Sequence, residues 1–129
     1  MCRMASVKTN FNTEIQVADI KKEVIENIIE AASVCNKICQ IILFGSVIES
    51  RCQEDSDIDM LVVSDMARSK LYKDKGYQEF LKRLHKKDGY EQVYDVICVH
   101  GVEEIYQKRD SVGLFRDVIE CGKTLYRRE

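Results

Sequence analysis

The chain has 129 residues and a formal net charge of -2, from 20 basic and 22 acidic side chains. That balance argues against direct nucleic-acid binding over the surface as a whole, while leaving room for a local basic patch. The length suits one domain with a single sizeable core, and no apolar run is long enough to span a bilayer.

The opening residues, MCRMASVKTNFN, lack the apolar centre of a signal peptide, so a cytoplasmic protein is expected. Residues 1–12 read as a flexible tail and residues 13–129 as a single domain. Thr13 with Gln16 offers a capping box, and Asp19 a later start. Ile20, Val24, Ile28, Ala31 and Cys35 then recur at helical spacing, with Lys21, Lys22, Glu26 and Glu30 on the outer face. This helix is expected to end near Asn36 or Lys37 and to pack on a sheet. The six cysteines include no Cys-x-x-Cys pair, and His85 and His100 stand far from any paired cysteines, which argues against zinc. Cys35 and Cys39 are expected to pack in the core.

The most informative stretch is IILFGSVIESRCQEDSDIDMLVV, Ile41 to Val63. It reads as a buried strand (Ile41 to Phe44), a tight Gly45-Ser46 turn, a polar connection that starts as a short helix, and a second strand (Ile58 to Val63). Asp57 and Asp59 open that second strand. Residues two apart on a strand point the same way, about 6.6 Å apart, which leaves Ile58 facing the core. Two carboxylates converging at one sheet edge suit a divalent cation, or a pair of them about 3.5–4 Å apart. The glycine turn lets backbone amides approach an anion. Together these features point to a metal-bound polyphosphate. A calcium loop beginning at Asp55 is excluded, because it needs Gly and Glu where Met60 and Met66 stand. A P-loop is excluded by the absence of Gly-Lys-Ser/Thr.

Leu43-Phe44-Gly45-Ser46 followed by Ser56-Asp57-Ile58-Asp59 resembles the minimal nucleotidyltransferases of the DNA polymerase beta superfamily. The resemblance implies an α/β (α+β) fold with a small mixed sheet flanked by helices. It implies transfer of a nucleoside monophosphate, AMP from ATP, to an acceptor hydroxyl with two Mg2+ ions. Gly45 and Ser46 would hold phosphate oxygens, and Asp57 and Asp59 would hold the metals. Small proteins of this kind act as antitoxins that modify a HEPN-type helical partner. Where the family carries arginine just after Gly-Ser, this chain has Val47, Ile48 and Glu49, and Ser50 replaces a usual glycine. Arg51 is the nearest cation and either replaces them at the triphosphate or is an ordinary surface residue. The alternative is a catalytically degenerate module that neutralises its partner by contact.

Further on, Ser64 to Lys75 is a polar, lysine-rich connection. Tyr77, Phe80, Leu81 and Leu84 mark a helix, with Lys82, Arg83, Lys86 and Lys87 on its other side. Asp88-Gly89 signals a turn. Val93 to Val99 is a third strand, with Asp95 near its start. By its residues alone Asp95 suits an exposed strand end; the resemblance assigns it the third metal-binding carboxylate. Val102 to Lys108 reads as a helix. Ser111 caps another that carries Val112, Phe115, Val118 and Ile119 and ends at Gly122. Thr124 to Tyr126 completes the chain as a short strand.

Overall fold

The computed structural model describes residues 3–85 and 91–128. The chain opens with an antiparallel hairpin, β1 (Met4–Lys8) and β2 (Glu14–Ala18), paired from Met4–Ala18 to Lys8–Glu14. The sequence reading expects a loose tail over β1 and a helix start at Thr13. A strand forms because apolar residues alternate here with polar ones, burying Val7, Ile15 and Val17. Thr13 closes the turn through Thr9, whose hydroxyl lies 2.7 Å from its own. Gln16 reaches across the hairpin to Ser6.

A 3₁₀ turn (Asp19–Lys21) leads into α1 (Lys22–Ala32), so the later helix start is the one used. The helix ends several residues before Asn36. Cys35 therefore falls in the following turn and Cys39 on the next strand, β3 (Ile38–Phe44). Lys21 departs from its expected outer face: it precedes the helix and is only 4% exposed.

After β3 come a 3₁₀ turn (Gly45–Ile48), β4 (Ile58–Ser64), the short α2 (Arg68–Leu71) and α3 (Lys75–Leu84). The Asp74 carboxylate accepts from the Tyr77 N–H at 3.0 Å and caps α3. At the other end of α3, the buried Asn27 amide donates to the Arg83 and Leu84 carbonyls. Lys86, Lys87 and the Asp88-Gly89 turn lie outside the described residues. The chain continues with β5 (Tyr94–His100), α4 (Val102–Gln107), α5 (Gly113–Cys121) and β6 (Lys123–Arg127).

The last four strands form one sheet in the order β5-β4-β3-β6. β3 pairs antiparallel with β4 and β6, while β4 and β5 run parallel. The fold is thus the mixed α+β arrangement that the sequence suggests. β4 is buried on both faces, as its apolar run requires. Ile58, Met60 and Val62 enter one core with α1 and α3; Leu61 and Val63 enter the other with Ile105, Phe115 and Val118 of α4 and α5. Among the described residues, no helix is long and apolar enough to cross a membrane.

β6 forms one edge of this sheet. At Arg127 its outer backbone is met by a side chain: Asn10 Nδ2 donates to the Arg127 carbonyl at 2.7 Å, and the Arg127 N–H donates to Asn10 Oδ1 at 2.8 Å. The Arg127 guanidinium lies 4.6 Å from the centre of the Phe11 ring.

Gly122 follows α5 as expected, although its φ of -59° is open to any residue. The reason for glycine is space. A Cβ there would stand 2.5 Å from the Val118 carbonyl oxygen and 2.8 Å from Ile42 Cγ2. Gly122→Ala is therefore expected to destabilise the protein by about 1–3 kcal/mol, the range for overpacking. Urea denaturation monitored by circular dichroism checks this, and an unshifted midpoint would mean that the α5–β6 junction relaxes freely.

Candidate active site

The site forms where β3 ends and β4 begins. Phe44 is extended, and Gly45 then takes a φ of 75°, a left-handed conformation that glycine adopts without strain. Val47 is fully buried and anchors the turn, while Ile48 packs against the same core. Two of the positions where arginine was expected are therefore committed to packing. The chain returns through a loop in which the Gln53 N–H donates to Ser56 Oγ and the Ser56 N–H to the Gln53 carbonyl. The Ile58 N–H donates to the Val93 carbonyl at 3.0 Å, which joins the entry of β4 to that of β5.

Register then gathers the polar groups. Asp59 lies across from Phe44 on one side and from Asp95 on the other. A Cβ on Gly45 would overlap Asp59 Oδ2, so the glycine backbone and this carboxylate are in direct apposition. Gly45, just past β3, Asp59 on β4 and Asp95 on β5 thus come together. Alternation places both aspartates on the sheet face that carries Leu61, Val63 and Val99. Asp57 is exposed, one residue before β4, and Asp95 is also exposed.

The Asp59 carboxyl is pushed up to about 6. Burial is the largest cause, followed by a hydrogen bond with Asp95, the charge of Asp95 and that of Asp57; the Arg51 charge opposes these. A hydrogen bond between two carboxyls requires a proton, so Asp59 resists ionisation. Arg51 is therefore near enough to act on Asp59 electrostatically, but its guanidinium is also paired with Glu49. Both side chains are well exposed, and such a pair is easily exchanged for another partner.

Among the described residues, no three His, Cys, Asp or Glu side chains come close enough together to hold a metal ion. Asp59 and Asp95 are neighbours across the β4–β5 pairing, and the charge of Asp57 acts on Asp59. The donor chemistry nonetheless fits a divalent cation. The groups are hard oxygens, two of them solvent-facing, and they repel one another in the absence of a compensating charge.

A family model described as Polymerase beta, Nucleotidyltransferase matches residues 26–129. The chain belongs to this family. Membership carries a nucleotidyltransferase-like activity in general terms. A comparison with curated proteins finds no match. The family match begins inside α1 and leaves out the hairpin and the Asp19–Lys21 turn. Yet Lys21 meets the Asp57 loop, and Gln92, just before β5, meets both. Spacing gives no sign of either contact, because the partners of Lys21 lie 33 and 71 residues away.

For this nucleotidyltransferase-family chain the Asp59 shift has a pH signature. Its folded value near 6 exceeds the reference value of 3.8. The protonated carboxyl is thus favoured by folding. Its contribution is fully present below pH 3.8 and is lost as pH rises through about 6. In chelator, Asp59→Asn should gain stability relative to the parent across that window, with the difference levelling off above it. Urea midpoints for both proteins at several pH values check this, and a difference independent of pH contradicts it.

Proposed function

We propose that this chain transfers a nucleoside monophosphate from a nucleoside triphosphate, ATP by the resemblance, to an acceptor hydroxyl in the cytoplasm, releasing pyrophosphate and the hydroxyl proton. The observation that carries this reading is the meeting of the Gly45-Ser46 turn with the Asp59–Asp95 pair. The turn offers a backbone N–H and the Ser46 hydroxyl as donors to phosphate oxygens. Asp57, Asp59 and Asp95 would hold two Mg2+ ions. When bound, these supply charge neutralisation at the phosphates and lower the pKa of the attacking hydroxyl. Asp57 and Asp59 serve nucleotide binding and chemistry together, whereas Asp95, at the exposed edge strand, serves the acceptor side. Arg51 exchanges Glu49 for the triphosphate. The acceptor is carried by a HEPN-type helical protein.

A second reading, a module that neutralises such a partner by contact alone, is supported by the apolar packing of Val47 and Ile48 and by the pairing of Arg51 with Glu49.

Calorimetry with ATP and single-turnover transfer separate the two. Under the first reading ATP binds only with magnesium. Asp95→Asn then leaves its affinity nearly unchanged and lowers transfer by about two to three orders of magnitude, comparable to removing a group that acts at the transition state. Equal ATP affinity in chelator removes the metal-dependent reading. Wild-type transfer by Asp95→Asn removes Asp95 from the site. Partner neutralisation that survives Asp59→Asn supports contact alone.

A further inference from the structure

Lys21 is buried, and its ammonium is satisfied by neutral groups. Nζ donates to the Glu54 carbonyl at 2.7 Å and to Gln92 Oε1 at 2.7 Å. Gln92, itself 9% exposed, donates through Nε2 to the Ser56 carbonyl at 3.1 Å and to the Val93 carbonyl at 2.8 Å. The Val93 carbonyl also accepts from the Ile58 N–H. One network therefore joins the loop before β4 to the residue before β5. Its members stand one residue from Asp57 and two from Asp95.

Among the described residues no carboxylate pairs with Lys21. Burying an ammonium without such a partner is unfavourable, and an apolar side chain of similar length would fill the same space without that penalty. What lysine adds is reach and several donors from one atom. Those donors bind Glu54 and Gln92, which both lie before the β4–β5 pairing begins at Ile58 and Tyr94. The same part of the chain also supports the other half of the site, since β2 packs against the Gly45–Ile48 turn. Hairpin and lysine both precede the segment that matches the family.

We propose that residues 4–21 are a built-in brace of the active site, in which Lys21, acting with Gln92, is a positioning residue that fixes how the loop bearing Asp57 lies against the entry of β5. The inference rests on the metal-binding role given to the aspartates above. Lys21 touches no substrate; it acts through the loop carbonyls.

The test uses the full chain and Mn2+ as the probe, without nucleotide. Lys21→Met and Gln92→Leu are each expected to weaken Mn2+ binding about tenfold, the effect of losing a group that orients a metal ligand. Both should speed hydrogen exchange at the Ile58 amide. The double variant should be little worse than either single one, because both changes break one network. Leu125→Ala, on β6 at the edge of the sheet away from β4 and β5, should lower the melting temperature without changing Mn2+ affinity or Ile58 exchange. Unchanged Mn2+ affinity and exchange in both single variants would overturn the brace, as would an equal loss in Leu125→Ala. Should Lys21→Met fail to fold, Gln92→Leu decides. If the parent protein binds no Mn2+, the metal reading of the aspartates fails, and exchange at Ile58 alone decides the brace.

Discussion

The molecule depends on the register of β4. Its side chains alternate between two apolar cores, and from Ile58 to Ser64 every position is buried except Asp59. A slip of one residue would drive the carboxylate toward α1 and α3 and turn Ile58, Met60 and Val62 toward the other layer. The hydrophobic energy of both cores therefore opposes any displacement of the aspartate. The same register sets Asp59 opposite Asp95 and beside Gly45. Geometry at the site is thus maintained by burial several residues away, and the polar groups contribute little attraction of their own.

Their contribution is in fact adverse. Three aspartates share a small region, and the charge that opposes them most directly, Arg51, is shared with Glu49. A fold can keep such a cluster only when the surrounding packing determines it, which is a common property of functional sites. The surplus negative charge is also what gives a cation something to neutralise.

Much of this was legible in the sequence, and the limits have physical causes. The central motif was legible because strand alternation and a glycine turn are local signals. The helix carrying Val24, Ile28 and Ala31, the α3 stripe of Tyr77, Phe80 and Leu84, and the strands from Ile41 onward followed from periodicity. The family match bears out the resemblance seen at Gly45-Ser46 and Asp57–Asp59. The hairpin was missed because Thr13-x-x-Gln16 satisfies a helix-capping pattern as well as it satisfies a strand. Lys21 was misplaced because a helical wheel extended one residue too far puts it on the outer face. Its burial depends on Glu54 and Gln92, and no local rule reaches contacts of that separation. Pairing of Asp59 with Asp95 likewise required the parallel alignment of β4 and β5, which neither strand encodes alone.

The contact of Asn10 with β6 bears on how the protein behaves in company. An edge strand offers unpaired N–H and C=O groups to any passing chain, and uncontrolled pairing there is a route to aggregation. Asn10 presents one donor and one acceptor to Arg127, in the manner of a neighbouring strand, and so occupies that hydrogen-bonding position from within the same molecule. Phe11 lies against the Arg127 guanidinium on the adjoining surface. A second molecule seeking to extend the sheet at this point would first have to displace the hairpin tip. The turn between β1 and β2 therefore takes up, at Arg127, a hydrogen-bonding position that an incoming strand would need.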